Sequence, residues 1–145
     1  MSRKGSLMLI LAVAAALVVV PMAQAQADQR IKADVPFDFI VAGKTLPAGA
    51  CVIERLASEG VLIVRTADRN QAVAANTHRR ENAARGGGAQ LVFNRYGDRY
   101  FLYQVWMAGS PVAREFLPTR LEKELRKFAK AEIAFVPART AAPDW

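Results

Sequence analysis

The stretch Gln90-Leu91-Val92-Phe93-Asn94-Arg95-Tyr96-Gly97-Asp98-Arg99-Tyr100-Phe101-Leu102-Tyr103-Gln104-Val105-Trp106-Met107 decides the fold. Two runs rich in β-branched and aromatic residues flank Gly97-Asp98, which suits a two-residue turn with glycine in its first central position. Such a turn sets the pairing: Tyr96 opposite Arg99, Arg95 opposite Tyr100, Phe93 opposite Leu102, Val92 opposite Tyr103 and Leu91 opposite Gln104. One face then carries Leu91, Phe93, Leu102 and Trp106, and the other Val92, Phe101, Tyr103 and Val105. A hairpin apolar on both sides is expected between two covering layers, or with one face left for a partner.

Upstream, Val35, Phe37, Phe39 and Val41 alternate with polar or smaller neighbours as one strand, and Pro36 places its start at a sheet edge. Gly43 to Gly49 reads as a hairpin loop, Ala50 to Leu56 and Val61 to Thr66 as strands, and Gln71 to Thr77 as a weaker, alanine-diluted strand. His78 to Ala89 is polar and contains Gly86-Gly87-Gly88, so a mobile loop is expected there. Downstream, Thr119 and Glu122 have capping-box spacing, predicting a helix over 120–131 whose stripe of Leu121, Leu125, Phe128 and Ala129 buries against the sheet. Ile133 to Val136 adds a short strand before Pro137. The expected class is mainly β with one C-terminal helix, an antiparallel meander forming a small rolled sheet, barrel or sandwich.

Val35-Pro36-Phe37-Asp38-Phe39, Gly43-Lys44-x-Leu46-Pro47-Ala48-Gly49, Leu91-Val92-Phe93-x-Arg95-Tyr96-Gly97-Asp98-x-Tyr100-Phe101-Leu102 and Val105-Trp106 resemble an uncharacterised family of small secreted bacterial proteins. The resemblance spans 35–125 and implies export and a β-rich fold. The family carries no assigned activity, so no catalytic residue transfers. The chain departs from the family at Cys51, where an aromatic is more usual, and this argues against a thiol role.

The first residues have the parts of a secretory signal: Arg3 and Lys4, then apolar Leu7 to Val20, then Pro21 and the small-x-small site Ala23-Gln24-Ala25. Cleavage is expected after Ala25. The apolar stretch is 14 residues, short of the roughly 20 that span a bilayer, so no stable membrane span is expected after cleavage. The expected organisation is a signal peptide over 1–25, a leader over 26–34, one domain over 35–136 and a fraying tail over 137–145. Loss of Arg3 and Lys4 lowers the net charge from +7 to +5. Moderate basicity outside the cytoplasm, in the periplasm or beyond the cell, suits weak association with anionic polymers or lipid. Nucleic acid is not an expected partner, because the basic residues are scattered among acidic ones.

The residues exclude several chemistries. One cysteine leaves no internal disulfide, and one histidine with one cysteine makes no usual zinc set; no metal or cofactor is expected. His78 with Ser58 or Ser110 lacks a nucleophile-elbow context, and Cys51 alternates with Ile53 on an apolar strand face as a buried thiol would. Asp38, Glu54, Asp98 and Glu115 form no recognisable acid and base pair. No catalytic residue is assigned. The densest set of binding residue types is Arg95, Tyr96, Asp98, Arg99, Tyr100, Tyr103 and Trp106, with Arg114, Glu115 and Arg120 as candidates to join them. Against this, Arg95 on Tyr100 stiffens a hairpin equally well, and Asp98-Arg99 is ordinary turn chemistry. Lys123, Arg126, Lys127 and Lys130 read as a solvated helix face, with a membrane-binding helix as the alternative. The expected function is a non-catalytic module that binds a protein or envelope component through the hairpin faces. The alternatives are a thiol- or carboxylate-dependent hydrolase and a basic polyanion or membrane-surface binder.

Overall fold

The computed structural model describes residues 30–56, 60–82 and 87–141. The signal segment with Ala23 and Ala25, the start of the leader, Ser58 and the last four residues lie outside the described residues. Ten strands follow in order: β1 Arg30–Val35, β2 Phe39–Val41, β3 Lys44–Leu46, β4 Gly49–Arg55, β5 Val61–Thr66, β6 Ala72–Glu81, β7 Gln90–Tyr96, β8 Arg99–Trp106, β9 Val112–Phe116 and β10 Glu132–Ala141. The helix α1, Arg120–Arg126, lies between β9 and β10.

Eight strands close a barrel in the order β1-β4-β5-β6-β9-β8-β7-β10, every neighbour antiparallel, and β10 returns to β1. The mainly β class with one helix is therefore present, as a closed barrel. β2 and β3 form a small outlying hairpin attached to β8 through the parallel pair Ile40 and Phe101. Its turn, Ala42-Gly43, has positive φ at both residues, 48° and 82°, the mirror-image geometry that matches strand twist.

Alternation fills the interior. Ile31, Ala33 and Val35 of β1, Cys51 and Ile53 of β4, Leu62 and Val64 of β5, Val73 and Ala75 of β6, Leu91 and Phe93 of β7, Leu102 and Val105 of β8, Phe116 of β9 and Val136 of β10 form one buried cluster. Each larger side chain contributes roughly 1.5–3 kcal/mol by leaving water. At one end Phe37 stacks on Tyr100 with centroids 3.6 Å apart and meets Phe93 edge-on at 4.9 Å, covering the core. The interior is packed with apolar side chains, and the outer wall is mixed, carrying Lys32, Asp34, Glu54, Arg65, Asn76 and Arg80 as well as Val92 and Trp106. Among the described residues no helix is long and apolar enough to cross a membrane.

Several local expectations change. The expected strand over 35–41 is broken at Pro36: Arg30–Val35 is a barrel strand between β4 and β10, and only Phe39–Val41 resumes pairing. His78 to Glu81 is not a loop. It extends β6 and pairs with β9, which the sequence did not signal because Val112-Ala113-Arg114-Glu115-Phe116 has weak alternation. β10 runs past Pro137 because that residue sits where the strand changes partner. Pairing with β7 ends at Pro137, and Ala138, opposite Ala33, begins the pairing with β1. Both terminal strands thus cross the expected domain limits at 35 and 136.

Candidate outer-wall binding site

The hairpin turn and its first pairs stand as expected, with Tyr96 opposite Arg99, Arg95 opposite Tyr100 and Phe93 opposite Leu102. Beyond them a β-bulge intervenes: Val92 pairs with Gln104 and Leu91 with Val105, leaving Tyr103 as the extra residue. The expected pairs of Val92 with Tyr103 and Leu91 with Gln104 are therefore wrong by one position. The bulge turns Tyr103, Gln104 and Trp106 outward and sends Val105 into the core, exchanging the faces expected for Val105 and Trp106. Outside, Trp106 packs with Val92 and Ala113, Tyr103 rests against this second cluster, and the Trp106 indole N–H donates to Gln104 Oε1 at 3.1 Å.

The connection from β9 to β10 must cross the outer face of β8 and β7, and α1 lies in it. Thr119 caps it, its hydroxyl accepting from the Glu122 amide at 3.4 Å. The helix ends at Arg126 rather than Ala131, and it is rotated about its axis from the expected orientation, by about the 100° that separates consecutive residues. Glu122 is its buried residue, while Leu121 and Phe128 are exposed and Leu125 is half-buried. The physical reason is what the wall offers. Asn94 points outward from β7 and donates its Nδ2 to Glu122 Oε1 at 3.2 Å in a buried contact. Arg126 Nη2 approaches the same oxygen at 3.7 Å, and its Nε donates to the Tyr96 hydroxyl at 3.1 Å. An apolar helix face would have left Asn94 unsatisfied.

A second buried carboxylate, Glu115 of β9, stands opposite Gln104 on one side and His78 on the other. Its Oε2 lies 3.6 Å from both His78 Nε2 and Arg80 Nε and makes no hydrogen bond. Contact with Glu115, reinforced by burial and by the carboxylate charge, holds the Tyr103 phenol above its ordinary pKa, against the opposing pull of Arg80 and Arg126. Two clefts open here. One of about 360 Å³ is lined by Asn94, Tyr96, Tyr103, Arg126, Lys130 and Ile133. The other, of about 280 Å³, is lined by Asn82, Gln90, Val92, Gln104, Trp106 and Phe135, and it shares Tyr103 and Ile133 with the first. They adjoin as one groove across the outer wall.

Of the seven expected binding residues, the structure gathers Tyr96, Tyr103 and Trp106 at this groove. Arg95 and Tyr100 sit on the inner register beside Phe37: the Arg95 guanidinium lies 5.4 Å from the Tyr100 ring centroid, its Nε donates to Gly97 O at 2.7 Å, and Glu132 is 3.8 Å away. This is the hairpin-stiffening arrangement. Asp98 and Arg99 are exposed at the turn. Arg114, also considered, bonds Thr77 through Nε to Oγ1 and Nη2 to the carbonyl, both at 2.9 Å, and ties β9 to β6. Asn94, Gln104, Glu122, Ile133 and Phe135 were missed. The outward placement of Gln104 depends on the bulge, and the burial of Glu122 on the rotation of the helix.

The nucleophile candidates do not assemble. Cys51 is buried in the core, where burial, with Asp34 adding to it, pushes its thiol up to about 11. His78 points to the other side of the wall, at Glu115. Ser110 folds back on Val112, its Oγ 3.3 Å from the carbonyl oxygen and 3.2 Å from the amide nitrogen. Asp38 accepts from the Ala48 amide at 2.8 Å, and Glu54 pairs with Arg30 and Arg65. Among the described residues no three His, Cys, Asp or Glu side chains gather as a metal would require. Comparison with protein-family models, with curated proteins and with solved structures finds no match in any of the three.

Proposed function

We propose that this chain, exported through the signal segment at 1–25, is a non-catalytic binding module whose ligand seat is the groove between α1, β10 and the bulged β8. The observation that carries it is that the two clefts lie side by side on the outer wall, with Tyr103 and Ile133 lining both. The groove's sides are apolar at Val92, Ile133 and Phe135, and its amides supply both functions through the Gln90 side chain, the Gln104 donor and the Asn94 acceptor. That mixture suits an extended peptide segment of a protein partner, whose backbone presents the same two functions at every residue.

The test is a photo-crosslinking amino acid placed at Phe135, with Ala74 on the remote part of the wall as control, in cells that export the protein. Discrete protein adducts at position 135, absent at 74 and lost when Tyr103→Ala is added, are the expected result. Equal labelling at both positions, or adducts indifferent to Tyr103→Ala, overturns the proposal.

A further inference from the structure

The rotation of the helix has a second consequence, on a surface that borders the groove at Lys130, Ile133 and Phe135. Six large hydrophobic side chains are exposed among the described residues, and five fall within 117–135: Leu117 at 59 %, Leu121 at 42 %, Phe128 at 86 %, Ile133 at 51 % and Phe135 at 63 %. Single exposed hydrophobics are ordinary, but concentration of this kind on one connection and the strand it enters marks a contact surface.

The carboxylates around it, Glu122, Glu124 and Glu132, are all paired, so the charges left over have one sign. Within 120–130, Glu122 is buried against Asn94 and Arg126, and Glu124 pairs with Lys127 at 3.2 Å. Arg120, Lys123 and Lys130 are exposed with no ion pair among the described residues. Apolar tips set among uncompensated cations fit an anionic lipid surface, where aromatic and leucine side chains enter the headgroup boundary and lysines meet phosphate. A second copy of the chain fits less well, since symmetric pairing of this patch would bring Lys123 and Lys130 of each subunit against those of the other. We propose that the crossover 117–130 docks the barrel on anionic bilayers, with Leu117, Leu121 and Phe128 inserted and Arg120, Lys123 and Lys130 over the phosphates.

The test uses the exported chain, sedimented with vesicles of phosphatidylcholine alone and of phosphatidylcholine mixed with phosphatidylglycerol. Binding is expected on the mixed vesicles only, and it weakens as salt shortens the Debye length. Phe128→Ser lowers the partition coefficient about tenfold or more, and Lys123→Gln with Lys130→Gln about thirtyfold. All three positions are exposed, so circular dichroism should confirm an unchanged fold. Tyr103→Ala, which disables the groove, should leave vesicle binding intact, separating the two proposals. Absent or equal binding to both vesicle types, or binding unaffected by Phe128→Ser, overturns the proposal. So does concentration-dependent dimerisation that Phe128→Ser abolishes without any lipid binding.

Discussion

Replacing Glu122 by alanine tests whether the crossover is seated by its polar face. Asn94 Nδ2 donates to a charged acceptor in a buried site, a bond worth about 1.5–3 kcal/mol. The approach of Arg126 adds about 0.3–0.5 kcal/mol, because that guanidinium is nearly half exposed and water screens it. A carboxylate in the first helical turn contributes about 0.3–1 kcal/mol through the helix dipole. Relief of the burial of a charge offsets part of the sum, leaving a net loss of about 2 kcal/mol. Glu122→Gln keeps an acceptor for Asn94 and should cost less than about 1 kcal/mol. Urea denaturation of the two variants, of Asn94→Ala and of Glu122→Ala with Asn94→Ala closes a double-mutant cycle, in which the coupling should lie near 2 kcal/mol with unchanged m. Hydrogen exchange should show the loss first at 120–126. A coupling below about 0.5 kcal/mol would refute the polar-seat argument.

Cys51 should resist a disulfide reagent in the native protein at pH 8 and react only at the rate of unfolding, because burial raises its pKa from 9.0 to about 11. A raised folded-state pKa means full stabilisation below pH 9 that is lost as pH climbs to 11, roughly 3 kcal/mol in all, and Cys51→Ala should remove that alkaline decline. Tyr103 follows the same sign: its folded pKa is raised, so its contribution is present below pH 10 and fades above it. Tyr103→Phe should cost about 1 kcal/mol at pH 7 and flatten that part of the urea-midpoint profile. Ala42 holds a positive φ that asparagine adopts more readily, so Ala42→Asn should raise stability by about 0.5–1 kcal/mol in the same urea assay.

The hairpin turn was legible because Gly97 and Asp98 act locally, and three cross-strand pairs followed from it. Its far half was not, because the bulge at Tyr103 answers to the closure of the barrel rather than to the turn. The class was legible from the β-branched and aromatic runs Val61 to Thr66 and Leu91 to Phe93 with turns beside them, whereas closure was hidden in Arg30–Val35 and Val112–Phe116, strands of ordinary composition whose partners supply the missing signal. The helix shows the limit most clearly. Its cap at Thr119 was readable, but which face turns inward depended on Asn94, 28 residues away in sequence. Of the groove, only the aromatic members on β7 and β8 stood out, because amide and carboxylate side chains acquire meaning from their neighbours.

The insertion of β10 between β1 and β7 has a consequence for the order in which the protein can form. During synthesis or threading from the N-terminus, Arg30–Val35 can pair with β4 early, but its other edge stays open until Ala138 to Ala141 arrive more than 100 residues later. Until then the chain is a sheet with two bare rims, one at β1 and one at β7, each a template for a neighbouring nascent chain. Late closure over so long a loop is slow. Loss of even the final strand would leave those rims exposed permanently, so the far C-terminal residues, unremarkable in composition, guard the protein against assembling with itself.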